Sequence, residues 1–364
     1  MKQITHSRWQ WMLWFFLLCL FAYIFITFKV DATPQTESYM FDPWTIDALQ
    51  LRQYGSGTLI SVEEIEKTWH FKRYKIEYDS DGHLVSGFVN VPAHGENFPV
   101  VFVLHGYVDP EHYRLLDYTT TYADRLAEAG YVVFHPSYRY HGENQLALQN
   151  DMWPSGEPPF RIGYALDVIN LMTLLQEASF AETHPLAVLQ SDQFYLMGHS
   201  MGGSVAQRVM SIRPDEIKGL VLYNTMHGDE EINYRRIREW GGNRSYIREL
   251  AVPPELVEEI SPIHMIDSWT APVTLHYGSD DLVVPHTWSQ TICEELKLID
   301  HPTSCYMYDG ANHLFQDDND QRFVQRIVYF FNQIEESTIE EKATPDVCDL
   351  DHLSRDSRCS LLRQ

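Results

Sequence analysis

The chain predicts an α/β fold: a mostly parallel eight-stranded sheet flanked by helices, with a small helical insertion. Three observations carry that reading. Pro99–Leu104 (PVVFVL) is a short, continuous apolar run, the pattern of a strand buried on both faces of a parallel sheet. Tyr118–Ala129 then shows helical periodicity, closes at Gly130 and is followed by the apolar run Tyr131–His135, which is the spacing of a strand–helix–strand unit. The third is the segment from Phe194 to Ser204. Its apolar run Phe194–Met197 breaks at Gly198, lifts Ser200 onto a tight turn and resumes as a helix rich in small residues.

The other elements follow in order. Residues 31–60 are polar and then carry a short helical candidate around Thr45–Arg52, read as a stalk or brace. Phe71–Tyr78 and His83–Val91 alternate in polarity on either side of Ser80-Asp81-Gly82, a hairpin signal. Arg161–Gln176 is a helix with Ile162, Ala165, Leu166, Ile169 and Met172 on one face. The strand Phe194–Met197 and helix Ser200–Met210 lead to the strand Ile217–Tyr223. Residues 227–260 are charged, contain aromatics and break the repeating unit, as a small helical cap over a site would. Strand Pro272–Tyr277, helix Thr287–Leu298, strand Ser304–Tyr308 and the amphipathic helix Gln321–Ile334 complete the alternation. The expected organisation is a membrane anchor or signal sequence over 1–30, a stalk or brace over 31–65, the main domain over 66–340 with its insertion at 227–260, and a polar tail over 341–364.

A formal charge of −24 across 364 residues argues against a nucleic-acid binder, because such surfaces carry basic stripes that neutralise phosphates. Trp9–Phe28 is a run of twenty residues without a charge, long enough to span a bilayer core. Lys2 and Arg8 precede it, so the expectation is an N-terminus in the cytoplasm and the body on the extracytoplasmic side of a membrane. The competing reading is a cleaved signal peptide, for which the exit Val30-Asp31-Ala32 is a poor match. Cys19 lies inside the apolar run. Cys293, Cys305, Cys348 and Cys359 remain, enough for two disulfides in an oxidising compartment with three connectivities open. None of these four has metal-ligand spacing, so no zinc site is expected; the expectation for cofactors, metal or organic, is none.

A sheet of this kind binds ligands outside the carboxyl ends of its strands. Four sequence features fall there. Ser200 lies between Gly198 and Gly202, the strained serine turn called a nucleophile elbow. Past the strand ending at Tyr277 come Asp280 and Asp281; a carboxylate at this point can take the Nδ1 proton of a histidine and leave Nε2 free as a base. The residues alone do not choose between these neighbours. His313 follows the last strand in a turn, giving the chain order Ser, Asp, His. His105-Gly106-Tyr107 leaves the strand that ends at Leu104. The backbone N–H groups of Tyr107 and Met201 are the candidate donors to an oxyanion, with Gly106 serving the turn. Tyr138, Trp153, Phe160 and Trp240 are candidate pocket-lining residues, each with the alternative of simple core packing.

The stretches HGY, Ala123–Asn144, Gly163–Leu175, FYLMGHSMGGSVAQR, Ser261–Pro285 and GANHLF together resemble an α/β-hydrolase of the prolyl oligopeptidase-like branch, close to the acylaminoacyl-peptidase and dipeptidyl-peptidase catalytic domains. The resemblance covers residues 70–335 and selects Asp281 over Asp280 through the spacing to Gly278 and to Val284-Pro285. The family's YRGxG run is matched by Tyr138-Arg139 and Gly142, with Tyr140 in place of its first glycine. The segment between residue 30 and Phe71 is too short for the β-propeller that family peptidases carry. What the resemblance implies is a serine hydrolase acting through an acyl-enzyme. Its expected substrate is a small ester, with short peptides as the alternative and an inactive binding protein on the same fold as the reading from another class.

Overall fold

The computed structural model describes residues 42–55, 57–109, 112–117, 119–141, 160–245 and 256–343. Nine strands among them form one sheet: β1 (Leu59–Lys67), β2 (Phe71–Ser80), β3 (His83–Pro92), β4 (Phe98–Leu104), β5 (Val132–Pro136), β6 (Leu189–His199), β7 (Ile217–Tyr223), β8 (Val273–Gly278) and β9 (Thr303–Tyr308). The order across the sheet is β1-β2-β3-β5-β4-β6-β7-β8-β9. The first three strands and the β3–β5 pair are antiparallel, and β5 through β9 run parallel.

Eight of these strands sit where the apolar runs place them. The ninth, β1, is additional and corrects the expected count. Glu63, Glu64 and Glu66 mask its alternation, and it lies on the sheet edge with Ile60 and Ile65 exposed, paired with β2 alone. The sheet therefore begins before residue 66. Ahead of it, helix α1 (Ile46–Gln50) is capped by Thr45, whose hydroxyl accepts from the Ala48 N–H, and it buries Ile46 and Leu49 completely. The hairpin turn follows its sequence signal: Asp81 and Gly82 both take positive φ, and Ser80 pairs with His83.

Successive residues of a strand face opposite sides of the sheet, and here both sides are covered. Val101, Val103, Val133, Tyr195, Met197 and Val221 join Tyr122 of helix α2 (Thr120–Glu128) and Phe323, Ile327 and Phe331 of helix α7 (Asp317–Ala343) in one apolar core. Residues of the opposite parity form a second layer, in which the Phe102 ring lies 5.5 Å from both Phe134 and Phe194. The strands between β3 and β8 are continuous apolar runs because neither face meets water.

Helix α3 (Phe160–Glu177) is buried on nearly every side rather than along the single face read from its periodicity. Its Asp167 explains how. The carboxylate accepts from the Ser80 hydroxyl at 2.7 Å, the Arg139 N–H at 2.7 Å and the Arg139 guanidinium at 2.7 and 3.0 Å, so a buried charge is fully paired. Helix α4 (Met201–Ile212) is buried throughout, which requires its small residues Gly202, Gly203, Ser204 and Ala206. Helix α5 (Glu230–Ser245) stands in the insertion, and helix α6 (His286–Leu298) is tied to β9 by a Cys293–Cys305 disulfide. Cys19, Cys348 and Cys359 lie outside the described residues.

The membrane reading is corrected here. Among the described residues no helix is long and apolar enough to cross a membrane, and the transmembrane assignment is withdrawn. The segment on which it rests, Trp9–Phe28, lies outside the described residues.

Candidate active site

The strand order reverses around β4, whose two neighbours are β5 and β6, so the connections leaving β4 and β6 run toward opposite edges of the sheet, the point at which sheets of this kind bind ligands. Ser200 stands at that point, between the end of β6 and the first turn of α4, with φ 56° and ψ −120°. A non-glycine residue in this region is strained and persists only where its surroundings hold it. Three backbone hydrogen bonds do so. The Ser200 N–H donates to the Tyr223 carbonyl at 3.0 Å, and the Ser200 carbonyl accepts from Gly203 N at 3.0 Å and Met226 N at 3.1 Å. Close approach makes the flanking glycines necessary. A Cβ at Gly202 would stand 2.1 Å from the Leu104 carbonyl oxygen, and one at Gly198 would stand 2.4 Å from that of Gly202.

The same contact brings the β4 exit against the start of α4. Met201 is the first residue of that helix and is buried; N–H groups of a first turn have no intrahelical partner and point outward with the positive end of the helix dipole. Gly106 is buried behind it, its carbonyl 2.7 Å from His105 Nδ1, and the Tyr107 side chain is 68% exposed.

On the far side of the elbow, Asp281 and His313 meet. Asp281 Oδ1 accepts from the Val283 and Val284 N–H groups at 2.8 and 2.9 Å, and Oδ2 accepts from His313 Nδ1 at 2.7 Å. The carboxylate is fully buried, whereas the His313 ring keeps 20% of its surface. Asp280 faces solvent, with its Oδ1 taking a hydrogen bond from the Ser279 hydroxyl. Because a carboxylate can only accept, this hydrogen bond takes its proton from His313 Nδ1 and leaves Nε2 as the unprotonated nitrogen of the neutral ring.

Two residues that the sequence reading did not single out hold this arrangement. His199, the neighbour of Ser200, places its ring 4.6 Å from that of His313 and donates from Nε2 to the His313 carbonyl at 2.9 Å. Burial, reinforced by His313 itself, keeps the His199 imidazole well below the ordinary histidine range and therefore neutral. Asn224, the first residue after β7, donates to the same carbonyl. Its only signal in sequence is position: it ends the strand beside the elbow.

The candidate pocket residues fare differently. Tyr138 is 1% exposed, with φ 62°; its ring lies 4.4 Å from His105 and stacks 4.7 Å from Tyr164, and its hydroxyl donates to the His105 carbonyl. It packs against the residue that leaves β4, as a buried brace. Trp153 lies outside the described residues, and Phe160 opens α3. Trp240 on α5 is 45% exposed beneath the Arg236 guanidinium, 5.3 Å away. Arg236 also donates to the carbonyls of Leu282 at 3.1 Å and Val283 at 3.2 Å, which ties α5 to the turn after Asp281. The start of α5 is fixed by Glu230, buried between Arg161 and Arg208 and accepting from the Asn233 amide at 3.0 Å.

The sequence matches the family described as "Serine aminopeptidase, S33" over residues 95–258. No curated protein matches it. Among solved structures, Est1E from Butyrivibrio proteoclasticus aligns with a TM-score of 0.51 at 15% identity, covering 72% of this chain and 99% of that one. Acetyl xylan esterase 1 from Thermoanaerobacterium aligns at 0.54 and 14%, covering 81% and 93%. The acylaminoacyl peptidase of Pyrococcus horikoshii aligns at 0.57 and 16%; 73% of this chain is covered, but it spans only 42% of the peptidase. At such identities the structural likeness concerns the fold. The family match runs through the serine turn and the sheet places that turn at its switch point: the chain has the α/β-hydrolase fold, and the match supports a serine hydrolase.

Proposed function

We propose that this protein cleaves small carboxylic esters by acyl transfer, with Ser200 as nucleophile, His313 as general base and acid, and Asp281 orienting the imidazole. The observation that carries the reading is the buried Asp281–His313 hydrogen bond of 2.7 Å on the loops beside a serine held at φ 56°. His313 Nε2 takes the hydroxyl proton as Ser200 Oγ attacks the carbonyl carbon. The oxyanion is received by the N–H groups of Met201 and Tyr107, a pair of donors fixed before reaction. Collapse expels the alcohol, protonated by His313, and leaves an acyl-serine. Water, deprotonated by His313, then releases the acid and restores the hydroxyl.

Esters are favoured over peptides because the structural neighbours aligned over nearly their whole length, Est1E and acetyl xylan esterase 1, are named as esterases, whereas this chain spans under half of the peptidase. Peptide cleavage is the second reading, favoured by the description of the matched family. The Cys293–Cys305 disulfide supports folding in an oxidising, extracytoplasmic compartment.

The test is a fluorophosphonate probe followed by turnover of a short-chain aryl ester and of an N-blocked aminoacyl amide. The expected result is labelling that disappears in Ser200→Ala, with the ester turned over faster than the amide. Labelling that persists in Ser200→Ala refutes the nucleophile; faster amide cleavage refutes the ester preference.

A further inference from the structure

We propose that Asn224 is a positioning residue that holds the acid-bearing turn and the histidine-bearing turn in register with the elbow; the inference rests on the acyl-transfer reading above. Asn224 follows directly on Tyr223, whose carbonyl receives the Ser200 N–H. Its own N–H donates to the His276 carbonyl of β8 at 2.9 Å. The side chain, in a residue 1% exposed, then reaches both loops. Oδ1 accepts from Gly278 N at 2.9 Å, three residues before Asp281, while Nδ2 donates to the carbonyls of Asn312 at 3.2 Å and His313 at 2.9 Å.

The orientation of the amide follows from its partners, since a backbone N–H can only donate and carbonyl oxygens can only accept. Both Nδ2 hydrogens and one lone pair of Oδ1 are used. Residue type is constrained as well. The backbone has φ 40°, a region where asparagine is enriched among non-glycine residues. Only a short side chain with a donor and an acceptor side by side closes this bridge. Three catalytic groups from three separate loops are thus referenced to the end of one buried strand.

Asn224 is buried and its hydrogen bonds go to backbone groups, so its effect on chemistry is the placement of the His313 and Asp281 backbones. Without it, the Gly278 N–H loses its partner in a buried setting, the Asn312 carbonyl loses one in a part-buried setting, and the His313 carbonyl keeps the bond from His199. That remaining bond makes the expected loss partial.

The experiment uses the full chain with Asn224→Gly and Asn224→Asp, both compatible with positive φ. The first removes the bridge. The second keeps an acceptor for Gly278 and turns a carboxylate oxygen toward two carbonyls. Each is measured for thermal unfolding, for aryl-ester kinetics well below its melting temperature, and for the second-order rate of fluorophosphonate labelling. The expected result is a fall in kcat of about 10- to 100-fold, the scale of an ångström-level misplacement of catalytic groups, with KM within about twofold and labelling slowed by the same factor. A folded variant with wild-type kcat overturns the inference, as does a change confined to KM. Failure of both variants to fold also overturns it, because Asn224 would then be a structural residue. Retained turnover in Ser200→Ala would instead refute the acyl-transfer reading beneath it.

Discussion

Asp280 and Asp281 are adjacent, identical in chemistry and opposite in situation. Asp281 is buried, accepts two backbone N–H groups on Oδ1 and meets His313 through Oδ2; Asp280 is exposed beside the Ser279 hydroxyl. Replacing Asp281 by Asn preserves shape but offers an amide N–H or a neutral oxygen to the ring, so the imidazole loses its preference for the Nδ1–H tautomer. Turnover of an aryl ester is expected to fall about 10⁴-fold in Asp281→Asn. The corresponding change at Asp280 is expected to leave kcat within about threefold, as for a surface group outside the site. Equal losses at the two positions would contradict the assignment. At this scale the residues were legible from chain order, but the choice between the two aspartates came from the family resemblance and not from local chemistry. The reason is visible in the structure: what separates them is a contact across 32 residues of sequence, to His313.

Among elements, the decisive feature is how tightly the turns after β8 and β9 interlock. The Asp280 N–H donates to the Ala311 carbonyl, the Ser279 N–H to the Tyr308 carbonyl, and the Gly310 N–H to the Ser279 hydroxyl. A Cβ at Gly278 would stand 2.1 Å from the Ala311 carbonyl oxygen, backbone that cannot yield without moving the histidine turn. Gly278→Ala is therefore expected to lower the unfolding free energy by about 2 kcal/mol or more, and to lower kcat with it. Thermal melts with ester kinetics check this, and an unchanged melting temperature would contradict it. The elements themselves were read well where apolar runs are continuous, as in β4, β6 and β7. The pattern is hidden where partners decide. Strand β1 carries three glutamates and exists through its pairing with β2, and α3 buries Asp167 because Arg139 and Ser80 meet it.

For the whole molecule, the notable charge property is a set of buried neutral histidines. His105 leaves β4 and stacks 5.5 Å from His135 of β5, with the His141 ring 5.5 Å from that of His105, while His199 ends β6 and His276 lies on β8; all five are buried. Burial pushes the imidazoles of His135 and His276 down to about 3 and that of His141 to about 4, and holds His105 and His199 well below the usual value of 6.5. As the pH falls, the unfolded chain takes up these protons before the folded one. The stability contributed is complete above about pH 6.5 and is lost progressively down to the folded-state values, near pH 3 to 4 for the three rings with a stated value. Each ring contributes up to about 1.4 kcal/mol per pH unit across that window. Urea unfolding between pH 8 and pH 5 is expected to show stability falling steeply below pH 6.5, and a flat profile would contradict it.

By itself the sequence determined eight strands, the parallel α/β class, the glycine-flanked serine turn and the chain order of serine, aspartate and histidine. These are local properties: hydrophobic period, strain at a turn and the sterics of close backbone approach are written in contiguous residues. Only the tertiary structure decided that β1 extends the sheet, that Tyr138 is a buried brace, that Cys293 pairs with Cys305, and that Asn224 bridges two loops to the elbow. Each of these depends on a hydrogen bond, a stacking contact or a crosslink between segments that become neighbours only when the sheet assembles.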